Sequence, residues 1–296
     1  MKIAIFGGGF GLYGYLPAVV ACGHRPVLPM RYREFLESRD DIRSFADQAE
    51  WVPDKDTLLR RCDGAVIAVP PAEQPHLTEE CLAHDNIRYL FLEKPLAATP
   101  FLADALLDRL EGARRIFRIG YNFRYTRWGR GLLQNGRGVR SVDWHFRAHH
   151  YAQDIQTWKR KSAQGGGALR FYGIHLVALL AELGYDSVAL SEICSTRSGE
   201  IETWRADIAG PALPMCRIVV ACDAAEPVFT LCDGSGRTIS LSDPYGETTI
   251  EPEADRRLSF LIDMLRDAVE DPTPFYAWYR KANKLWADLE SEAIRA

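Results

Sequence analysis

The sequence predicts an α/β chain: an N-terminal doubly wound parallel sheet of Rossmann type, then a C-terminal α+β domain with an open, mostly antiparallel sheet. Three observations predict it. Short apolar runs alternate with helix-like segments as far as residue 120, the pattern that parallel strands joined by right-handed crossovers require. A glycine-rich turn, Gly7-Gly8-Gly9-Phe10-Gly11, sits at the first strand-to-helix junction, where doubly wound sheets hold nucleotide phosphates. After residue 120 the texture changes to glycine-rich loops, one apolar helix and several alternating runs, as in a sheet with one wet face.

Lys2–Phe6 is apolar, stops at glycine and reads as a buried strand; Leu16–Cys22, closed by Gly23, reads as the first helix. Arg25–Leu28 is a second strand, Arg33–Gln48 a polar helix, and Gly64–Val69 a strand closed by Pro70-Pro71. Glu73–Ala83 is helix, Tyr89–Leu92 strand, Phe101–Leu110 helix and Ile116–Gly120 strand. These assignments place a dinucleotide-binding domain at 1–120 and a substrate-binding and oligomerisation domain at 121–296. In the second, Ile174–Leu183 is an apolar helix. Ser191–Ser195, Glu202–Ile208, Cys216–Cys222, Val228–Cys232 and Thr238–Leu241 are strands, and Leu258–Val269 and Phe275–Ile294 are closing helices.

Composition narrows the function. The 296 residues are 47% hydrophobic and 26% charged, which excludes a disordered, collagen-like or disulfide-scaffold chain. A net charge of −4 gives no general attraction to nucleic acid or an anionic membrane. Seven cysteines without a CxxC spacing fit a reduced cytoplasm. The first apolar run is too short for a signal peptide, and no stretch approaches the roughly 18–20 apolar residues of a membrane helix.

One segment departs from this balance. From Arg114 to Arg170 there are thirteen Lys/Arg and two acids, with Tyr125, Trp128, Trp144, Tyr151 and Trp158 among them. Interleaved cations and rings suit an anionic or nucleotide-linked small molecule, or simply a solvated face. His145, His149 and His150 lack a cysteine or carboxylate at ligand spacing, so no metal is expected.

The glycine turn is the candidate phosphate loop. Gly7 makes the tight turn and Gly9 admits a pyrophosphate to the helix start, so Gly7, Gly9, Phe10, Gly11 and Leu12 are the candidate contacts. The match to G-x-G-x-x-G is imperfect, because Leu12 stands at the third glycine position. After the second strand no acid occurs until Glu34, whereas Arg31 is placed to meet a ribose 2′-phosphate. That favours NADP over NAD.

Glu93-Lys94-Pro95 follows a strand, and Pro95 restrains Lys94 to an extended conformation. Taken with Gly120-Tyr121-Asn122-Phe123-Arg124-Tyr125 and with Gly165-Gly166-Gly167-Ala168-Leu169 leading to Gly173-Ile174-His175, it resembles the Gfo/Idh/MocA oxidoreductases along the whole chain. The resemblance implies hydride transfer between nicotinamide and a carbinol or carbonyl carbon, usually of a sugar, an inositol or a nucleotide sugar. It implies that Lys94 and His175 polarise or protonate the reacting oxygen. It also implies cofactor contacts from Pro70, Gln74, Glu93 and Lys94, with Gln74 standing where many relatives place histidine. Lys94 and His175 are the implied substrate contacts; Tyr121 in the Gly120–Tyr125 motif, Arg124 and Trp158 in the basic segment, which the family pattern does not explain, and Tyr172 beside Phe171 are further candidate substrate contacts. A homodimer or homotetramer formed through the C-terminal sheet is implied as well.

The implied roles make physical sense, because a carbinol that loses hydride must also lose its hydroxyl proton to a nearby base of near-neutral pKa. One position departs from the family pattern: Phe171 replaces its aspartate. Tyr172 beside it is either a packing residue or an auxiliary acid. Imine or enamine reduction, and a dinucleotide-binding protein without catalysis, remain alternative readings.

Overall fold

β1 (Lys2–Phe6) is buried from Ile3 onward and passes through a wide π-type turn, Gly11–Tyr15, into α1 (Leu16–Ala21). Then follow β2 (Arg25–Pro29), α2 (Arg33–Glu37), β3 (Glu50–Val52), α3 (Lys55–Arg61), β4 (Gly64–Ile67) and α4 (Gln74–Leu82). β5 (Tyr89–Leu92), α5 (Pro100–Gly112) and β6 (Ile116–Ile119) complete this part of the computed structural model, which describes residues 1–195, 197, 199–246 and 255–295. The six strands pair only in parallel, in the order β3-β2-β1-β4-β5-β6. This doubly wound order reverses between β1 and β4, where such sheets take their ligands.

Two elements here escape the periodicity of the sequence. β3 is a three-residue edge strand that carries Glu50, a charge of the kind that blunts sheet edges. α3 starts at Asp54, whose carboxylate accepts from Thr57 N at 2.7 Å. The expected helix 33–48 is instead α2 followed by a 3-10 turn at Arg43–Gln48. Ser38 interrupts it, since its hydroxyl donates to Phe35 O at 2.8 Å and competes with the helical ladder.

The rest of the chain builds α6 (Arg127–Asn135), β7 (Val139–Arg147), the short α7 (His149–Ala152) and α8 (Ile174–Leu183). β8 (Ser187–Cys194), β9 (Thr203–Ala209), β10 (Cys216–Ala221), β11 (Asp223–Asp233) and β12 (Thr238–Leu241) follow. α9 (Leu258–Glu270), α10 (Tyr276–Ser291) and β13 (Ala293–Arg295) close it. The second sheet runs β12-β11-β7-β10-β9-β8-β13. β7 pairs with β10 and β8 with β13 in parallel, and the other four pairs are antiparallel. β7 lies inside the sheet yet was not legible in the sequence, because Val142 and Trp144 alternate with polar Ser141, Asp143 and His145 within the basic segment.

α8 is apolar all round, with eight of its ten residues buried, and α10 packs against it through Trp278, whose Nε1 donates to Ala178 O at 2.7 Å. Contrary to the sequence expectation, Ser162–Leu183 has the length and hydropathy of a membrane span; 72% of its most apolar 18-residue stretch is buried within the fold, as a core helix would be. At its centre Gly173 admits Trp204: a Cβ there would stand 2.7 Å from the indole ring.

Packing divides the chain into two compact units. The first comprises residues 1–96, 108–122 and 248–275, and the second comprises 97–107, 123–247 and 276–296. Each unit is thus assembled from separate stretches of the chain. Arg118 shows why α9 belongs with the first sheet. Only 1% exposed, it donates from Nε to Asp267 Oδ2 and from a terminal nitrogen to Asp271 O, each at 2.7 Å, and lies 4.0 Å over the Phe275 ring.

Candidate functional site

In the first unit the glycine loop is shaped by two different constraints. Gly7 has φ +116°, and a Cβ there would collide with the carbonyl of Ala68 just beyond β4, so only glycine closes this turn. Gly9 is exposed, and nothing lies within 4 Å of where its Cβ would be. This open approach to backbone at a helical turn is what a pyrophosphate requires, so the residues present fit a dinucleotide. Leu12 N and Tyr13 N both donate to Gly9 O, at 2.8 and 3.2 Å, starting the turn. Leu12 itself is fully buried and Gly11 sits against Phe6 O, so both shape the loop from below. Phe10 folds over Gly14 and carries the Arg257 guanidinium 3.9 Å above its ring. Arg257 is held by Asp255 through two hydrogen bonds.

Arg31 is exposed beside this loop and is tied to it by Tyr32, which the sequence did not flag. The Tyr32 hydroxyl accepts from Gly7 N at 3.1 Å and from Arg31 at 3.3 Å.

The Glu93-Lys94-Pro95 segment leaves β5 with a cis Lys94-Pro95 peptide. It is gripped from both sides. Gln74, fully buried, donates from Nε2 to the carbonyls of Glu93, Pro95 and Leu96 at 2.7, 3.2 and 2.8 Å. The amide nitrogen expected to reach a ribose or nicotinamide therefore holds the lysine loop. Pro70 supports it in turn, accepting from Glu73 N and Gln74 N. The Glu93 carboxylate accepts from the Tyr15 hydroxyl at 2.9 Å and from Lys94 N at 3.2 Å. Burial pushes the Glu93 carboxyl up from its ordinary pKa, against the opposing charge of Lys94. Lys94 is 7% exposed, so its ammonium acts in a setting where a charge is poorly screened. Tyr121 is buried in the same unit.

In the second unit His175 opens α8 and is 3% exposed. Its ring stacks on Phe123 with centroids 5.0 Å apart, and its Nε2 lies 3.3 Å from the hydroxyl of Tyr245. Tyr245 is held by its own ring contact with Phe123 at 5.4 Å and by Trp128, which donates to Pro244 O at 2.9 Å. The sequence carried no signal for Tyr245, which follows an ordinary strand. Tyr172 packs within rings: Phe146 at 4.7 Å, Phe171 at 4.8 Å, Trp144 at 6.0 Å and His150 at 6.2 Å. Trp158 adds to this cluster, edge-on to Phe171 at 5.2 Å.

The basic segment is divided. Arg124 pairs with Glu182 and lies 5.1 Å over Trp278. Arg160 pairs with Asp154 and Glu200, and Arg170 with Glu290. Arg127 and Arg130 line a cavity of 770 Å³ with Arg237. Among the described residues no three His, Cys, Asp or Glu side chains form a metal cluster.

His150 is pushed down to about 4, first by burial and then by the charges of Lys159 and Arg160. A depressed folded pKa means that the unfolded chain takes up a proton sooner, so the contribution is complete above about pH 6.5 and is lost as pH falls toward 4. With solvent screening this is expected to cost on the order of 1–2 kcal/mol by pH 4.5. Urea midpoints at pH 7.5 and 4.5 should therefore differ less for His150→Phe than for the native chain; an equal difference would reject the assignment.

Residues 1–121 match the model of the oxidoreductase family with an NAD-binding Rossmann fold, GFO_IDH_MocA. No curated protein matches the sequence. Among solved structures, GenD2 from gentamicin A biosynthesis in complex with NAD superposes with TM-score 0.73 at 19% identity, covering 98% of this chain and 92% of that one. KijD10, a 3-ketoreductase from Actinomadura kijaniata in complex with NADP and TDP-benzene, gives 0.70 at 14% identity, covering 100% and 98%. Apo scyllo-inositol dehydrogenase from Lactobacillus casei gives 0.70 at 15% identity, covering 99% and 96%. At such identities these structures establish the shared fold, from the parallel first sheet to the mixed second one. The likeness to the Gfo/Idh/MocA oxidoreductases is thus carried in sequence by residues 1–121, which match that family's NAD-binding Rossmann model.

Proposed function

We propose that this protein is an NADP-preferring oxidoreductase acting on a CH–OH or carbonyl carbon of a sugar or nucleotide sugar. The observation that carries the reading is Lys94, a nearly buried ammonium on a loop gripped by Gln74 and Glu93 at the carboxyl end of β5. There it would hold the reacting oxygen and stabilise negative charge as it develops. His175 would exchange the hydroxyl proton. A bound nicotinamide dinucleotide supplies the hydride acceptor or donor, held over Gly9 and beside Arg31. The half-buried ring cluster of Tyr172, Phe171 and Trp158 is of the kind that suits the apolar face of a sugar, and the neighbours that bind TDP-benzene or act on scyllo-inositol support this substrate class.

Titration with NADPH and NADH by fluorescence, followed by a turnover panel of aldoses, inositols and UDP- and TDP-sugars, tests the reading. Arg31→Ala is expected to weaken NADP binding at least tenfold, about 1.4 kcal/mol, and leave NAD binding unchanged. A native protein that prefers NAD would reject the NADP assignment. Phe171 in place of a carboxylate favours a second reading, imine or enamine reduction, which needs a proton donor and no carboxylate. The reading includes a cytoplasmic enzyme that self-associates as a dimer or tetramer through the second sheet.

A further inference from the structure

We propose that Tyr245 is a catalytic residue, the outer member of a Tyr245–His175 proton relay; the proposal rests on the oxidoreductase reading above. Burial makes the argument. At 3% exposure the His175 imidazole is shut away from solvent by the ring of Phe123 and the body of α8. Tyr245 is half-buried, and its hydroxyl stands 3.3 Å from Nε2 of His175. Catalytic hydrogen bonds are often this long before substrate arrives. The phenol that reaches His175 is thus supplied by the segment after β12, seventy residues away in sequence. Tyr172, adjacent to the missing carboxylate, has its ring boxed by Phe146 and Phe171.

In the oxidative direction the substrate hydroxyl gives its proton to Tyr245 Oη while the tyrosine proton moves to His175 Nε2. The O–H bond of substrate breaks, the carbon–oxygen double bond forms at the carbon that gives up hydride, and His175 is left as imidazolium; a nicotinamide, when bound, would supply the hydride acceptor. Reduction runs the same transfers backward. A phenol alone, with an unperturbed pKa of about 10, is a poor base, and an imidazole beside it gives the phenolic proton somewhere to go.

Tyr245→Phe retains the ring that packs on Phe123 and removes only the hydroxyl. On whichever panel member the native protein turns over, kcat is expected to fall at least about thirtyfold, with KM within threefold. His175→Gln should fall similarly, and the double variant should be no worse than the poorer single, since members of one relay are not additive. Without substrate, the ¹⁵N resonance of His175 Nε2 should move in Tyr245→Phe at fixed pH. Losses that multiply in the double variant, a kcat within twofold for Tyr245→Phe, or an unmoved Nε2 resonance would each overturn the relay. If Lys94→Met abolishes turnover while Tyr245→Phe does not lower it, only the relay falls. If the native protein turns over nothing in the panel, the oxidoreductase reading falls and the relay falls with it.

Discussion

Lys94→Met is expected to lower turnover by about a thousandfold or more while NADPH affinity stays within a few-fold. Methionine follows the lysine stem through the same nearly buried volume, so the loop held by Gln74 and Glu93 need not rearrange. What disappears is the ammonium, and with it the charge available to an oxygen that becomes more negative in the transition state. The loss should therefore fall on kcat rather than on cofactor binding. Steady-state kinetics beside a fluorescence titration separates the two. Unchanged turnover would remove Lys94 from the chemistry, and a large loss of NADPH affinity would make it a binding residue instead.

Gly9→Val should leave the fold intact and weaken dinucleotide binding at least about a hundredfold, roughly 2.7 kcal/mol. The protein offers no clash, because no atom lies within 4 Å of the added Cβ. Gly9 is also absent from the glycines with positive φ, so a side chain there is not forced into the left-handed region. A diphosphate must come to hydrogen-bonding distance of that backbone, and isopropyl groups forbid it. Thermal denaturation and NADPH titration together decide the matter: an unchanged Tm with lost binding supports the loop as the cofactor site, whereas retained affinity would place the dinucleotide elsewhere. Gly7 provides the contrast, since a Cβ there meets the Ala68 carbonyl and any substitution should destabilise the chain itself.

Sequence alone was sufficient for the parallel sheet, the glycine loop, the lysine after β5 and the histidine that opens α8. Each rests on short-range information: apolar runs of strand length, glycine where a turn turns left-handed, proline after the lysine. Tertiary structure decided the rest. Gln74 was legible as a polar residue at a helix start, but its three carbonyl partners exist only because β4 and β5 lie side by side. Arg118 finds Asp267 across 149 residues, and Tyr245 finds His175 across seventy. The same packing neutralised Arg124, Arg160 and Arg170 with acids that composition could not assign. The physical reason is common to all of them. Periodicity records which side of a local element is buried, whereas the partner of a buried charge or phenol is selected by whichever distant element the fold brings to that side.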